Sequence, residues 1–192
     1  MDKFLNCIDL ECEEIRKIDI KAYQLDNKGR GEDTIFGLKT KLKLDRIKSC
    51  DYFLYDNNKL LIIEISDFFR QLEFLKELYS EVKKCNLSNF DKVKKYVSPS
   101  KIIKDEIKNK YLNTLLILSF CNEVDINNEK ILFLIFCIKK NEDAKALNVL
   151  GIKLKKEIID NVENELKNLV NSIIICPSDE TKIKEKIKDL DF

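Results

Sequence analysis

Asp51 opens the apolar run Tyr52-Phe53-Leu54-Tyr55, and Glu64 stands near the end of Leu60-Leu61-Ile62-Ile63-Glu64-Ile65, with Asp56-Asn57-Asn58 as a tight turn between them. A hairpin folded on that turn places acids on adjacent strands. Two such carboxylates can hold a hard divalent cation, Mg²⁺ or Mn²⁺, which activates water and offsets charge on a phosphate. Each acid also has a structural reading. Asp51 can cap the turn into its strand, and Asp56 is an ordinary turn residue. Glu64 is the more demanding, because an acid inside an apolar run is costly to bury without a metal or a lysine beside it.

The 192 residues contain no histidine. That excludes His-containing zinc sites, Ser-His-Asp triads and Cys-His nucleophile pairs, and leaves Asp, Glu, Lys, Tyr and Cys for any acid, base or ligand. The seven cysteines form no Cys-x-x-Cys pair and mostly stand among apolar neighbours, as reduced core thiols do. Cys50, beside Asp51, has nothing near it in sequence to lower its pKa. No phosphate-binding glycine loop is present in the sequence. Because the net charge is only +1, a nucleic-acid footprint has to be a local patch. The densest is Lys39, Lys41, Lys43, Arg46 and Lys48, interrupted by Asp45 alone. This stretch can grip a phosphate backbone with salt-sensitive affinity, or serve as the solvated face of an edge strand.

The elements that must position these residues follow from periodicity. Phe4, Ile8, Cys12 and Ile15 fall at helical spacing, which predicts a first helix within residues 3 to 25 before alternation at Ile18, Ile20 and Ala22. Asn27 to Asp33 reads as a loop. Leu38, Thr40, Leu42 and Leu44 alternate with Lys39, Lys41 and Lys43, the pattern of an amphipathic strand with a lysine ladder. Tyr52 to Tyr55 and Leu60 to Ile65 read as strands of a covered sheet. Phe68, Leu72, Leu75, Tyr79 and Val82 predict a helix over 68 to 84, with Phe68, Phe69, Phe74 and Tyr79 going to the core. Ser98-Pro99 starts a helix over 100 to 111, and Leu115 to Cys121 and Ile131 to Ile138 read as buried strands. Lys155 to Val170 is helical and Ile173 to Cys176 a short strand before Pro177.

The expected product is an α/β fold, a mixed central sheet flanked by helices, in one domain over residues 1 to 177. Residues 178 to 192 form a charged helix or tail, with Ile183, Ile187 and Leu190 at helical spacing either to dock or to meet a protein partner. The apolar runs are far short of the roughly 20 residues that span a membrane. The first twenty positions carry charges and lack the apolar core of a signal peptide. A cytoplasmic protein without a membrane partner is expected.

In this order of elements, with Asp51 opening the second core strand and Glu64 on the third, the chain resembles the PD-(D/E)xK nuclease superfamily from about residue 3 to residue 139. The resemblance implies a restriction-endonuclease-like core and an endonuclease or exonuclease that cleaves DNA or RNA with Mg²⁺ or Mn²⁺, in restriction, repair or phage defence. On it, Asp51 and Glu64 are the metal ligands. Ser66 takes the place of the motif lysine, on the same strand face as Glu64, and offers a hydrogen bond where lysine offers a positive charge. Lys43, Lys48 and Arg70 can supply that charge instead, and Arg70 joins the basic stretch as a nucleic-acid contact. Lys59 falls on the opposite face from Glu64, about 16 Å away. The Gln-x-x-x-Tyr element of one large subgroup is missing, since Leu75 stands four places after Gln71. Glu11, Glu14 and Glu32 are the upstream acids available as a further ligand. Loss of the lysine equally admits a fold kept for binding or assembly without catalysis.

Overall fold

The structure, a computed structural model, describes residues 4–10, 17–26, 37–56, 58–84, 98–137, 149, 151–152 and 155–192. Its centre is one mixed sheet of six strands lying in chain order: β1 (Leu5–Asp9), β2 (Lys17–Gln24), β3 (Tyr52–Asp56), β4 (Lys59–Ser66), β5 (Glu129–Phe136) and β6 (Ser172–Pro177). Strands β1 to β4 pair antiparallel, and β4, β5 and β6 run parallel. The principal helices among the described residues are α1 (Leu38–Lys41), α2 (Phe68–Lys84), α3 (Pro99–Ser119), α4 (Asp160–Leu166) and α5 (Glu180–Asp189). A π-helical turn, Lys155–Ile159, leads into α4. The protein is thus an α/β fold with a mixed central sheet flanked by helices, as its patterning predicts.

Strand β4 has partners on both edges and layers on both faces, which is why it is almost continuously apolar. Leu60 and Ile62 join Leu132 and Leu134 in the core beneath α2, α3 and α4. Leu61 and Ile63 join Ile131 and Phe133 in the core on the other face. The two-residue period therefore turns Glu64 and Ser66 toward the α2/α3 layer.

Helix α5 closes the second face. Its Ile183 and Ile187 are buried, with Leu190 packed beside them. Lys59 Nζ donates to the Leu190 carbonyl and pairs with Asp191, both at 3.1 Å. The apolar stripe considered for a protein partner is therefore turned inward, because the sheet face beneath it needs the same side chains to exclude water.

Several expectations are corrected. The segment expected as a first helix contains strands β1 and β2; Cys12 and Ile15 lie outside the described residues. The Phe4/Ile8 spacing of four suits a helix, but four is also a multiple of the strand period. Residues 38 to 44 form α1 and a turn ending in Lys43 at φ 56°, not a strand. Leu115 to Cys121 is mostly the end of α3, whose buried stripe of Ile107, Tyr111, Thr114 and Leu118 continues through it. A short apolar run of that kind does not separate a strand from a buried helix. Phe74 is exposed, whereas Phe68 is buried and Phe69 meets Phe136 edge-on at 5.6 Å. Cys137 is disulfide-bonded, contrary to uniformly reduced thiols, and its partner lies outside the described residues. So do Asn27 to Asp33 and Glu11, Glu14 and Glu32. No described helix is long and apolar enough to cross a membrane.

Gly37 lets α1 approach the end of β2. A Cβ there would lie 2.3 Å from the Leu25 carbonyl oxygen and 2.5 Å from that of Asp26, while Lys39 N–H donates to Leu25 at 3.2 Å. These neighbours are all backbone atoms of Leu25 and Asp26, so no flexible side chain is there to yield. Gly37→Ala is expected to cost about 3 kcal/mol, read as a lower urea midpoint; an unchanged midpoint would mean that the contact relaxes freely.

Candidate functional site

Asp51 is locked between two strands before its side chain is considered. Its N–H donates to the Ile63 carbonyl at 3.0 Å, and its own carbonyl accepts from Leu25 N–H at 2.9 Å. Its Oδ2 accepts from Ile65 N–H at 2.8 Å, so the carboxylate leans onto β4. Glu64 is only 2% exposed. Its Oε1 accepts from Lys110 Nζ at 2.6 Å, and its buried Oε2 has no hydrogen-bond partner among the described residues. Burial above all, and then the Asp51 charge, raise the Glu64 carboxyl to about 8 against the opposing pull of Lys110.

Lys110 comes from α3 and also lies 3.7 Å from Glu106, one helical turn earlier. Burial alone would lower its pKa, but the charge and hydrogen bond of Glu64, with Asp51 and Glu106, outweigh burial and drive it upward. Lys110 is therefore an ammonium throughout the neutral range. The helix that carries it is pinned. Lys104 and Lys108 bracket Glu165 at 2.6 and 2.7 Å, and Tyr111 donates its hydroxyl to the Leu169 carbonyl at 2.6 Å. Thr114 Oγ1 donates to the Lys110 carbonyl at 2.8 Å and accepts from Cys50 N–H at 2.9 Å. That hydroxyl ties the turn bearing Lys110 to the segment entering Asp51.

Ser66 lies two residues beyond Glu64 on the same face, where its Oγ accepts from Gln71 Nε2 at 2.8 Å. The positive charge beside Glu64 comes from Lys110 and not from Lys43, Lys48 or Arg70. Sequence reasoning missed it because Glu106 and Lys110 read as an ordinary pair along one helix, and only folding brings Lys110 to Glu64 across 46 positions. Cys50 is an inert thiol: burial first, then the Glu64 charge, push its pKa well above the usual value.

The basic stretch divides. Lys39 is buried, paired with Asp26 and donating to the Ile47 carbonyl at 2.5 Å, so it holds the loop from the wall of the cleft that Arg46 and Lys48 also line. Lys41 stands 5.7 Å from the centre of the Phe4 ring. Lys43 is exposed in the turn after α1, and Arg70 is exposed in the first turn of α2. Arg46 and Lys48 line a cleft of about 350 Å³. A second cleft, also about 350 Å³, meets the first at Lys48, Glu106 and Lys110.

No group of three or more His, Cys, Asp and Glu able to hold a metal gathers among the described residues. Asp51 and Glu64 are two hard oxygen donors. Mg²⁺ is commonly held by one or two carboxylates, completing its shell with water and substrate phosphate. The unpartnered Glu64 Oε2, beside a second acid, is the atom such a cation would satisfy. The donor set fits Mg²⁺ or Mn²⁺ and offers nothing to a softer metal. Compared with family models, curated proteins and solved structures, the chain matches none.

Proposed function

We propose that the protein is a divalent-metal-dependent nuclease that hydrolyses DNA or RNA phosphodiesters from a restriction-endonuclease-like core. The observation that carries this reading is Glu64, an acid 2% exposed, repelled by Asp51 and unpartnered at Oε2. Asp51 and Glu64 would hold Mg²⁺ or Mn²⁺, which when bound supplies an activated water and neutralises charge at the phosphate. Lys110 takes the part of the motif lysine from a different element, bringing to the β4 face the positive charge that Ser66 lacks. Ser66, anchored by Gln71, orients water or phosphate by hydrogen bonding. Arg46 and Lys48 grip the nucleic-acid backbone, with Lys43 and Arg70 on the surrounding surface. Restriction, repair or phage defence in the cytoplasm is the setting for such an enzyme.

The test is cleavage of single- and double-stranded DNA and RNA with Mg²⁺, with Mn²⁺ and with EDTA. Cleavage is expected with either metal, none in EDTA, and none in a folded Asp51→Ala variant. If folded wild type cuts no substrate, the second reading stands: a catalytically inactive binding or assembly protein with nucleic acid or a protein as partner. That reading is favoured by the Lys110 ammonium 2.6 Å from Glu64, the arrangement of a structural ion pair.

A further inference from the structure

The loop from α1 to β3 is held at three points. Lys39 Nζ binds the Ile47 carbonyl, Asn113 Nδ2 donates to the Lys48 carbonyl at 2.8 Å, and Cys50 N–H donates to Thr114 Oγ1 at 2.9 Å. Ser49 sits within this clamp. It is 2% exposed, and its hydroxyl has no hydrogen-bond partner among the described residues. Ser49 lines the same cleft as Arg46, Lys48 and Lys110. A buried hydroxyl left without a partner costs free energy, which a ligand atom entering the cleft would relieve. Beside it, a guanidinium and an ammonium provide a planar fork and a point charge for an oxyanion.

The carboxylates of the cleft are already engaged. Asp26 pairs with Lys39, and Asp45 accepts from Thr40 Oγ1 at 2.5 Å. Glu106 lies between Lys48 at 3.9 Å and Lys110 at 3.7 Å. Lys48 keeps its side chain 77% exposed, so it is accessible to an incoming anion.

We infer that Arg46, Lys48 and Ser49 form a phosphate subsite, which receives the phosphate group adjoining the one presented to Asp51, Glu64 and Lys110. The carrier of that phosphate rests on the nuclease reading; the phosphate chemistry of the cleft does not. A strand's terminal monophosphate and an internal diester share this chemistry, and the test separates them.

Inorganic phosphate is titrated calorimetrically, in EDTA, into wild type, Ser49→Ala and the Arg46→Ala/Lys48→Ala double variant. One short single-stranded oligonucleotide is then compared with and without a 5′-phosphate by fluorescence anisotropy. Phosphate affinity is expected to fall about tenfold or more in the double variant and about threefold in Ser49→Ala. The Ser49→Ala thermal midpoint should not fall, since the change removes an unpartnered buried hydroxyl; this separates a binding role from a structural one. No binding to wild type, or equal phosphate affinity in all three proteins, overturns the subsite. Tighter binding of the 5′-phosphorylated strand assigns it to a terminal monophosphate, and equal binding to an internal one. Phosphate binding that these variants weaken, in a protein that cuts no nucleic acid, upholds the subsite and overturns the nuclease reading alone.

Discussion

Glu64→Gln is expected to reduce metal-dependent cleavage by about a thousandfold and, in the same protein, to improve relative stability as pH rises. The amide keeps an acceptor for Lys110 and nearly the same volume, so the pocket stays filled while the negative charge required of a metal ligand is lost. The stability effect has a definite sign. The carboxyl titrates near 8 in the folded chain against 4.5 for an ordinary glutamate. Below pH 4.5 it is protonated in both states, and the folded protein keeps its full stability. Between 4.5 and 8 only the unfolded chain releases the proton, which destabilises the fold by about 1.4 kcal/mol per pH unit. Above 8 both states are ionised and the loss levels off at a total of about 5 kcal/mol. Glu64→Gln removes this slope. Urea melts of both proteins in EDTA at pH 5, 7 and 9 should show the variant gaining on wild type by about that amount. Parallel curves would mean that Glu64 ionises normally inside the fold.

Lys110→Met is expected to lower cleavage about a hundredfold while leaving Mn²⁺ binding intact, and to destabilise the fold more at high pH than at low. Deleting one partner of a buried pair leaves the other charge uncompensated, which costs about 3–5 kcal/mol when that charge cannot be relieved. Glu64 can be relieved by taking up a proton. The cost should therefore be about 1 kcal/mol at pH 6 and approach about 3 kcal/mol at pH 9. Adding Glu64→Gln to Lys110→Met should restore most of the loss at pH 9, and the four proteins form a cycle that measures the coupling directly. Full cleavage by folded Lys110→Met would sink its part in the chemistry. A strong coupling in a wild type that never cleaves would identify the pair as structural.

The sheet was legible wherever one physical demand ruled the pattern. Leu60 to Ile65 is buried on both faces and so reads as a continuous apolar run, and α2 shows its single stripe in Phe68 and Leu72. Misreadings arose where two periods share a spacing. Leu38 and Leu42 satisfy both strand alternation and a helical turn, and what decided for α1 was the close approach of Gly37 to β2. At the α3 end, an apolar run that sequence assigned to a strand belongs to a helix whose buried stripe runs on through Ile117 and Leu118, while Leu116 and Phe120 stay exposed. The Asp51/Glu64 pair was legible because a short hairpin turn sets the relation of its two strands; the lysine ladder dissolved once Lys39 turned inward to Asp26.

What sequence by itself determined is local and subtractive. It established the absence of histidine chemistry, the α/β alternation, and two acids placed on neighbouring strands by a turn that a few residues encode. Only the tertiary structure decided what faces those acids. Lys110 reaches Glu64 because α3 packs on the sheet, the loop of the buried Ser49 hydroxyl is clamped by the distant Asn113 and Thr114, and α5 spends its apolar stripe on the second core. Each of these depends on burial and on contacts between residues far apart in the chain. Local periodicity carries no information about such contacts, because the same lysine, serine or isoleucine has the same propensity whether solvent or a carboxylate stands opposite it.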